Sequence, residues 1–172
     1  MSLNPQNSNG SDNKPASVYY NQAVEKMSHH DYVGAIADLD RIIASNQDYE
    51  EVYHKRADAK YKLGDYNGAM VDYDKAIELN LNYVDGYVAR GDARDESGDS
   101  KGAIADYDRV LALDPTRADV YFSRANTKYL LGDYTGAVAD WGMVVELEPS
   151  RKNKLQPFIE RAKEKMQNSK SR

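Results

Sequence analysis

Histidine and carboxylate side chains are the groups in this sequence that could bind a metal ion or transfer a proton. His29 and His30 precede Asp31, but two adjacent histidines in a turn point in different directions, and the sequence contains no cysteine to complete a metal site. The third histidine, His54, would make binding sensitive to pH if it lies on a binding surface, because an unperturbed imidazole changes charge near neutral pH. We therefore predict a loop at residues 29–31 and no metal site.

The carboxylates recur at a regular interval, which argues against a catalytic role. The clearest series is Asp38, Asp72, Asp106 and Asp140, in which the interval between successive members is constant. A catalytic acid and base form a single site and would break such a pattern. The glycines stand between predicted helices with no strand before them, so a phosphate-binding loop is not supported. We predict no catalytic residues, no cofactor and a protein that is not an enzyme.

The same interval organises the rest of the chain and requires elements that repeat with it. A turn motif recurs at four positions, namely His30-Asp31-Tyr32, Gly64-Asp65-Tyr66, Gly98-Asp99-Ser100 and Gly132-Asp133-Tyr134. A glycine and an alanine follow each turn, as in Gly68-Ala69. Apolar residues at helical spacing lie on both sides of the turns. The sequence therefore predicts helix-turn-helix units that stack into an array.

Two further positions repeat within each unit. A large ring opens the first helix at Tyr19, Tyr53, Tyr87 and Tyr121, and a small residue follows four positions later at Ala23, Ala57, Gly91 and Ala125. Together with the Gly-Asp-Tyr turn and a closing proline, these residues resemble the tetratricopeptide repeat. The resemblance implies an all-α fold, a right-handed α-solenoid of four helix-turn-helix repeats, each thirty-four amino acids long. It also implies that peptide segments bind on a concave face lined mainly by the first helix of each repeat.

The repeat register divides the chain into segments. After the fourth repeat, one apolar helical face is formed by Leu155, Phe158, Ile159, Ala162 and Met166, as expected of a helix that caps the solenoid. The first residues are rich in Asn, Ser, Gly and Pro and have little to bury. We predict a disordered leader over 1–15, repeats over 16–49, 50–83, 84–117 and 118–151, an amphipathic C-terminal capping helix over 152–167 and a frayed tail over 168–172.

Charge is distributed unevenly along the chain. Residues 1–150 contain 15 Lys and Arg against 26 Asp and Glu, a net charge of −11, whereas residues 151–172 contain 8 against 2, a net charge of +6. An acidic body lacks the phosphate-neutralising surface that nucleic-acid binding requires. No apolar run approaches the roughly 20 residues of a membrane helix. We therefore expect no nucleic-acid partner and no membrane contact, and we take a cytoplasmic location as the default.

The first helices carry pairs of basic residues that need partners. These pairs are Arg56 with Lys60, Arg90 with Arg94, and Arg124 with Lys128. Like charges four residues apart destabilise a helix, so nearby acids should neutralise them. The second helices supply acids at the same interval, namely Asp38, Asp72, Asp106 and Asp140. We hypothesise that these residues form an Arg-Asp ladder that runs through the stack and has a structural role.

If the first helices line the concave face, their exposed positions define a candidate binding groove, with carboxylates in the middle and rings at the flanks. The candidate residues are Tyr20, Glu51, His54, Asp58, Tyr61, Asp85, Asp92, Asp95, Asp119, Phe122, Asn126 and Tyr129. Such a groove suits a protein or peptide segment that carries Lys or Arg and an apolar anchor. Equally, acidic faces are ordinary on an acidic protein, and a tyrosine at helical spacing commonly serves packing.

Three functional interpretations remain open. The chain is a non-enzymatic interaction scaffold, or a self-assembling structural solenoid whose basic capping helix docks weakly in the acidic groove of another copy, or the targeting domain of a larger protein. Some members of the resembled family hold the C-terminal carboxylate of a chaperone with Lys, Asn and Arg on three first helices. Placing that pattern on this chain leaves Lys55 as the single cation, so we do not expect that ligand.

Overall fold

Helices account for nearly all of the chain that the structure describes. A computed structural model describes residues 15–45 and 49–170, and no strand occurs within these ranges. The helices are α1 Ala16–Ser28, α2 Tyr32–Ala44, α3 Glu50–Lys62, α4 Tyr66–Leu79, α5 Val84–Glu96, α6 Ser100–Leu113, α7 Ala118–Leu130, α8 Tyr134–Leu147 and α9 Lys152–Lys170, with a 3₁₀ turn at Pro149–Arg151. The predicted all-α solenoid is confirmed. Residues 1–14 of the predicted leader and residues 171–172 of the predicted tail lie outside the described residues.

An aspartate begins the second helix of every repeat. The side chains of Asp31, Asp65, Asp99 and Asp133 each accept a hydrogen bond from the backbone N–H of the glycine three positions later. A side chain at this glycine would displace the cap, because a Cβ added to Gly68 would lie 2.1 Å from Asp65 Oδ2, and the other three sites are equally close at 2.1 or 2.2 Å. Such a cap satisfies an N–H at the helix start and stabilises the fold by about 1 kcal/mol. The repeated turn motif is therefore a helix-start signal.

The residue before each of these aspartates has a left-handed backbone. Its φ is 84° at Gly64, 91° at Gly98 and 84° at Gly132, a conformation that glycine adopts without a Cβ penalty. At the equivalent position of the first repeat, His30 adopts a φ of 64°. The side chain at His30 therefore costs roughly 1 kcal/mol relative to glycine.

Small residues let the two helices of each pair pack closely. Ala57 on α3 and Ala69 on α4 are fully buried and share a core cluster with Tyr73. In the third pair Gly91 occupies the small position, where an added Cβ would lie 2.8 Å from the ring of Tyr107. Consecutive pairs also contact one another, through α2 with α3, α4 with α5 and α6 with α7. The pairs therefore stack in line.

The hypothesised Arg-Asp ladder is present and joins neighbouring repeats. In the third repeat, Arg90 Nε and Nη2 donate to Asp106 at 3.0 and 2.6 Å, and Arg90 Nη1 donates to Asp74 of the preceding repeat at 2.6 Å. Arg94 Nη1 adds a hydrogen bond of 2.7 Å to Asp106. The equivalent contacts are Arg56 and Lys60 to Asp72, Arg56 to Asp40, Arg124 and Lys128 to Asp140, and Arg124 to Asp108.

The central carboxylates of the Arg-Asp ladder are buried, with exposed fractions of 2 to 4% for Asp38, Asp72, Asp106 and Asp140. Burial would lower the pKa of Arg90, but the hydrogen bonds and charges of Asp106 and Asp74 raise it overall. The first repeat is the exception, because Gln22 replaces the arginine there and Lys26 supplies the cation from α1, at 2.5 Å from Asp38. The first repeat therefore lacks the planar, bidentate contact of the others.

The last helix begins where the first helix of a fifth repeat would begin. α9 starts at Lys152, one full repeat length after Ala118, at which α7 starts. Its buried face, including Leu155 and Ala162, packs against α8. The helix continues to Lys170, so its predicted end at residue 167 is too early, because no glycine or proline after Pro157 stops it.

Candidate functional site

The first helices of the repeats form the inner wall of the solenoid. α1 contacts α3, α3 contacts α5, and α5 contacts α7. We call this wall the concave face. The predicted site residues all lie on these first helices.

The middle of the concave face contains an open cleft between α3 and α5, which we call the central cleft. Its volume is about 450 Å³. The lining side chains are Met27, Tyr32, Asp58, Tyr61, Lys62, Tyr73, Ala89, Asp92, Ala93 and Glu96. The predicted residues Asp58, Tyr61 and Asp92 come together here. Three of the lining side chains are acidic and one is basic, so the lining carries more negative than positive charge.

Two carboxylates of the central cleft are held by tyrosines of the second helices. Tyr73 Oη donates to Asp58 Oδ1 at 2.8 Å, and Tyr107 Oη donates to Asp92 Oδ1 at 2.8 Å. These contacts fix each acid in place through one of its two oxygens. This support was not predicted, although the sequence holds a signal for it, since a tyrosine follows each acid at the same spacing in the second and third repeats.

Two of the four predicted flanking rings, Tyr20 and Tyr61, are hydrogen-bonded to acids. Tyr20 donates a short hydrogen bond to Glu51, and Tyr61 donates one to Glu96, each on the next first helix. Burial, followed by the hydrogen bond and charge of Glu96, raises the pKa of Tyr61 to about 12. Tyr61 therefore stays protonated and joins α3 to α5 across the central cleft.

His54 is buried, so its predicted place on the exposed side of α3 is wrong. The side chain is enclosed because Tyr83, which precedes α5, covers it, and His54 Nδ1 lies 2.6 Å from Tyr83 Oη. His54 Nε2 lies 3.5 Å from Asp58 Oδ1. Burial lowers the pKa of His54, against the opposing charge of Asp58. The neutral imidazole is thus a packing element behind the central cleft.

Arg117 pairs with Asp119 and lies near Asp85, two acids of the predicted groove. Arg117 Nε and Nη2 donate to Asp119 at 2.9 and 2.7 Å, and Nη1 lies 3.9 Å from Asp85. The hydrogen bond from Arg117 lowers the pKa of Asp119. Arg117 lies before α7, outside the helical pattern that the prediction used. The anionic part of the predicted groove is therefore smaller than the sequence indicated, because Asp119 is paired with Arg117.

Negative charge concentrates around Asp92. The pKa of Asp92 is raised by burial first and then by the charges of Glu96, Asp119 and Asp95, while the hydrogen bond from Tyr107 lowers it. Asp95 itself is half-buried and accepts a hydrogen bond from Ser100 Oγ at 3.2 Å. A bound cation would relieve this repulsion between carboxylates.

The remaining predicted residues line two other clefts. Tyr20 and Glu51 lie at the N-terminal end, in a cleft of about 510 Å³. A third cleft of about 320 Å³, which we call the C-terminal cleft, lies between α7 and α9 and is lined by Phe122, Asn126, Tyr129, Leu130, Trp141, Phe158 and Arg161. The predicted groove is therefore divided into three clefts of different composition. The contribution of α9 to the third was not predicted, because the sequence pattern gave that helix only a capping role.

Residues 15–45 and 49–170 contain neither a cluster of metal ligands nor a membrane-spanning helix. Within these ranges, no group of three or more His, Cys, Asp or Glu side chains is arranged to hold a metal ion. Over the same ranges, none of the helices combines the length and apolar character needed to cross a membrane.

Sequence comparison decides the family. The family described as TPR repeat matches residues 57–98 and 91–132, two overlapping segments that run from α3 to the turn after α7. Residues 57–132 therefore match the tetratricopeptide repeat family. No curated protein matches the sequence.

Solved structures share the tetratricopeptide fold. MamA from Desulfovibrio magneticus RS-1, from residue 41 to its end, is 18% identical with a TM-score of 0.72, and the match covers 89% of this chain and 92% of that one. YrrB, described as a TPR protein with an unusual peptide-binding site, is 18% identical with a TM-score of 0.71 over 83% of this chain and 73% of its own. The first TPR of Spaghetti (RPAP3), bound to the HSP90 peptide SRMEEVD, is 25% identical with a TM-score of 0.64 over 67% and 94%.

Proposed function

We propose that this tetratricopeptide repeat chain is a non-enzymatic scaffold that binds a segment of a partner protein on its concave face. The fold supports the proposal, because an open solenoid offers a continuous inner wall to another chain. Two proteins of the same fold support it as well, since YrrB has a peptide-binding site and the Spaghetti repeat was solved with a peptide.

The observation that carries the proposal is the charge of the central cleft. Asp58, Asp92 and Glu96 line it, and Ala89 and Ala93 leave space between them. An inserted Lys or Arg side chain would pair with these carboxylates, and the attraction would also increase the association rate. The preferred segment is therefore basic.

Rings beside the carboxylates provide a place for an apolar side chain. Tyr61 packs edge to face against Tyr66 with ring centroids 5.0 Å apart, and Met27 and Tyr32 also line the central cleft. Buried apolar contacts supply most of the affinity at protein interfaces. The bound segment should therefore carry an apolar residue near its Lys or Arg.

Affinity measurements on charge variants test the proposal. Glu96→Gln and Asp92→Asn each remove one negative charge from the central cleft. We expect each to weaken binding of a blocked Gly-Lys-Leu-Lys-Gly peptide about three- to tenfold at low salt. The difference in affinity between the wild type and each variant should become smaller as the ionic strength rises to about 0.15 M, because salt screens exposed charges.

Glu146→Gln is the matched control, because Glu146 is exposed on α8 and lines none of the three clefts. This variant should bind the peptide as the wild type does. If all three variants bind the peptide as tightly as the wild type does, or if the wild type does not bind it at millimolar concentration, the basic-segment proposal is rejected.

Weak self-assembly is a second candidate function, favoured by the charge of α9. Its exposed Lys152, Lys154 and Lys163 are complementary to the acidic central cleft of another copy. Light scattering of the wild type and of a Lys154→Glu, Lys163→Glu double variant tests this candidate. Association that disappears on charge reversal supports self-assembly, whereas a monomer in both cases excludes it.

A further inference from the structure

The C-terminal cleft and the central cleft occupy equivalent positions of the solenoid. Asn126 on α7 lies two repeat lengths after Asp58 on α3, and Leu130 lies two repeat lengths after Lys62. Trp141 replaces Tyr73 in the same register, and Trp141 Nε1 donates to Asn126 Oδ1 at 3.3 Å as the tyrosine donates to the aspartate. One wall of the C-terminal cleft is therefore neutral where the central cleft is charged.

The opposite wall reverses the charge. α5 lines the central cleft with Ala89 and Asp92, and α9 lines the C-terminal cleft with Phe158 and Arg161, which have the same spacing. This alignment of the two helices is offset by a single position from the repeat register. In this alignment, the ring of Phe158 takes the place of the methyl group of Ala89. The guanidinium of Arg161 takes the place of the carboxylate of Asp92.

Neighbouring residues support this alignment of α9 with α5. The next residue on each helix is a buried alanine, Ala93 on α5 and Ala162 on α9, with exposed fractions of 4% and 0%. One turn further on, Lys165 of α9 takes the position of Glu96. Lys165 Nζ lies 5.5 Å from the centroid of the Tyr134 ring, so a second cation lies close to this wall.

The C-terminal cleft has exposed apolar residues, and the cation in its lining, Arg161, is exposed as well. Leu130 and Phe158 are 77% and 55% exposed, although both are large apolar residues. Exposed apolar residues that cluster at a concave site mark a contact surface. Arg161 is exposed, and no carboxylate within the described ranges pairs with it.

We propose that the C-terminal cleft binds an aromatic or large aliphatic side chain of a partner segment that carries a carboxylate next to it. The rings and Leu130 accept the apolar side chain, and Arg161 pairs with the carboxylate, assisted by Lys165. The inference extends the proposed function and rests on it for the use of the concave face. The preferred partner segment thus has a basic part for the central cleft and an apolar-acidic part for the C-terminal cleft.

Trp141 provides a direct reporter for this site. It is the single tryptophan of the chain, it lines the C-terminal cleft, and its ring centroid lies 6.1 Å from that of Phe158. A side chain that enters the cleft therefore changes the surroundings of the only indole. A ligand confined to the central cleft does not contact it.

The experiment titrates Trp141 fluorescence with two blocked peptides, Gly-Phe-Glu-Glu-Gly and its charge-reversed control Gly-Phe-Lys-Lys-Gly. We expect a saturable change with the Glu peptide and at least about tenfold weaker binding of the Lys peptide. Arg161→Gln and Phe158→Ala should each weaken the Glu peptide about tenfold. Both residues are exposed, and thermal melts establish that the variants remain folded.

Asp92→Asn separates this inference from the proposed function. It should leave the Glu peptide unaffected, because Asp92 does not line the C-terminal cleft. A Glu peptide that titrates Trp141 while Gly-Lys-Leu-Lys-Gly binds nowhere supports this site and refutes only the basic central cleft. No saturable change with the Glu peptide, or equal binding in Arg161→Gln, overturns the inference. A Trp141 emission wavelength that shifts with protein concentration in the absence of peptide also overturns it, because a second copy of the chain then fills the cleft.

Discussion

At the residue scale, the buried aspartates of the Arg-Asp ladder explain how pairs of cations are tolerated on the first helices. Asp106 accepts hydrogen bonds from both Arg90 and Arg94, and Arg90 reaches Asp74 as well. Arg90, like Arg56 and Arg124, thereby connects its own repeat to the one before it. The buried carboxylate offsets the repulsion between the two cations, and their charges in turn compensate for its loss of hydration.

Removing one arginine from the ladder should strongly destabilise the fold. Arg90→Leu leaves the buried Asp106 with Arg94 alone and leaves Asp74 without its Arg90 contact. We expect the free energy of unfolding to fall by about 3 kcal/mol in urea titrations. Lys101→Leu removes the same charge from an exposed position of α6 and should change it by less than about 0.5 kcal/mol. Similar small losses in both variants would reject a structural role for the ladder.

His54 should make stability depend on pH. Burial holds its pKa below the ordinary value of 6.5, with Asp58, Asp85 and Glu51 opposing and Lys55 assisting. As the pH falls below about 6.5, the unfolded chain binds a proton that the folded chain does not, so the free energy of unfolding decreases until the pH passes the lowered pKa. Stability from this group is therefore present above pH 6.5 and lost in acid.

Thermal melts between about pH 7.5 and pH 5 measure the effect. The melting temperature of the wild type should fall more over this interval than that of His54→Gln, whose side chain cannot titrate. His29→Gln is the control, because His29 is exposed, and it should keep the wild-type pH dependence. Parallel curves for the wild type and His54→Gln would contradict the prediction.

The contacts that could be predicted from the sequence are those of residues that recur with the repeat. The ladder could be predicted because its aspartates recur in all four repeats, and its arginines in three of them, at a constant interval. The burial of His54 and the neutralisation of Asp119 could not, because Tyr83 and Arg117 lie before α5 and α7. Tyr83 reaches His54 on α3, and Arg117 pairs with Asp119 from the segment before α7. Helical spacing carries no information about contacts made by residues between the helices.

At the element scale, the second glycine of each repeat is part of a helix cap. Gly68→Ala would place a Cβ 2.1 Å from Asp65 Oδ2, so the cap must open and the free energy of unfolding should fall by about 1 kcal/mol. Gly142→Ala is the matched control, because no atom lies within 4 Å of its added Cβ in α8. It should gain about 0.5 to 1 kcal/mol from helix propensity. Urea unfolding of the two variants measures whether their free energies of unfolding change in opposite directions. An increase in Gly68→Ala would contradict the role of the cap.

The helix starts could be predicted from the turn motif, whereas the function of α9 could not. Asp65 and its three equivalents begin second helices where the motif places them. The apolar spacing in α9 predicted a buried face, which Leu155 and Ala162 form. The same spacing grouped Phe158 with that face, but Phe158 is exposed beside Trp141. The orientation of a helix against its neighbour depends on the packing of both helices.

At the scale of the whole molecule, the concave face changes character along its length. Its centre is acidic around Asp58, Asp92 and Glu96, and its C-terminal end is aromatic with Arg161. The stack of helix pairs sets the distance between these clefts, and the Arg-Asp ladder fixes the stack. Recognition of a long segment would therefore depend on stability contacts far from the bound residues.

Chemical-shift mapping tests the central claim most directly, namely that the inner wall of the solenoid binds a basic segment. Gly-Lys-Leu-Lys-Gly is added to the isotope-labelled chain, and backbone amide shifts are followed to saturation. We predict that the largest shifts fall on α3 and α5, around Asp58, Tyr61 and Asp92. Shifts confined to the second helices, or no shifts at millimolar peptide, would contradict binding on the concave face.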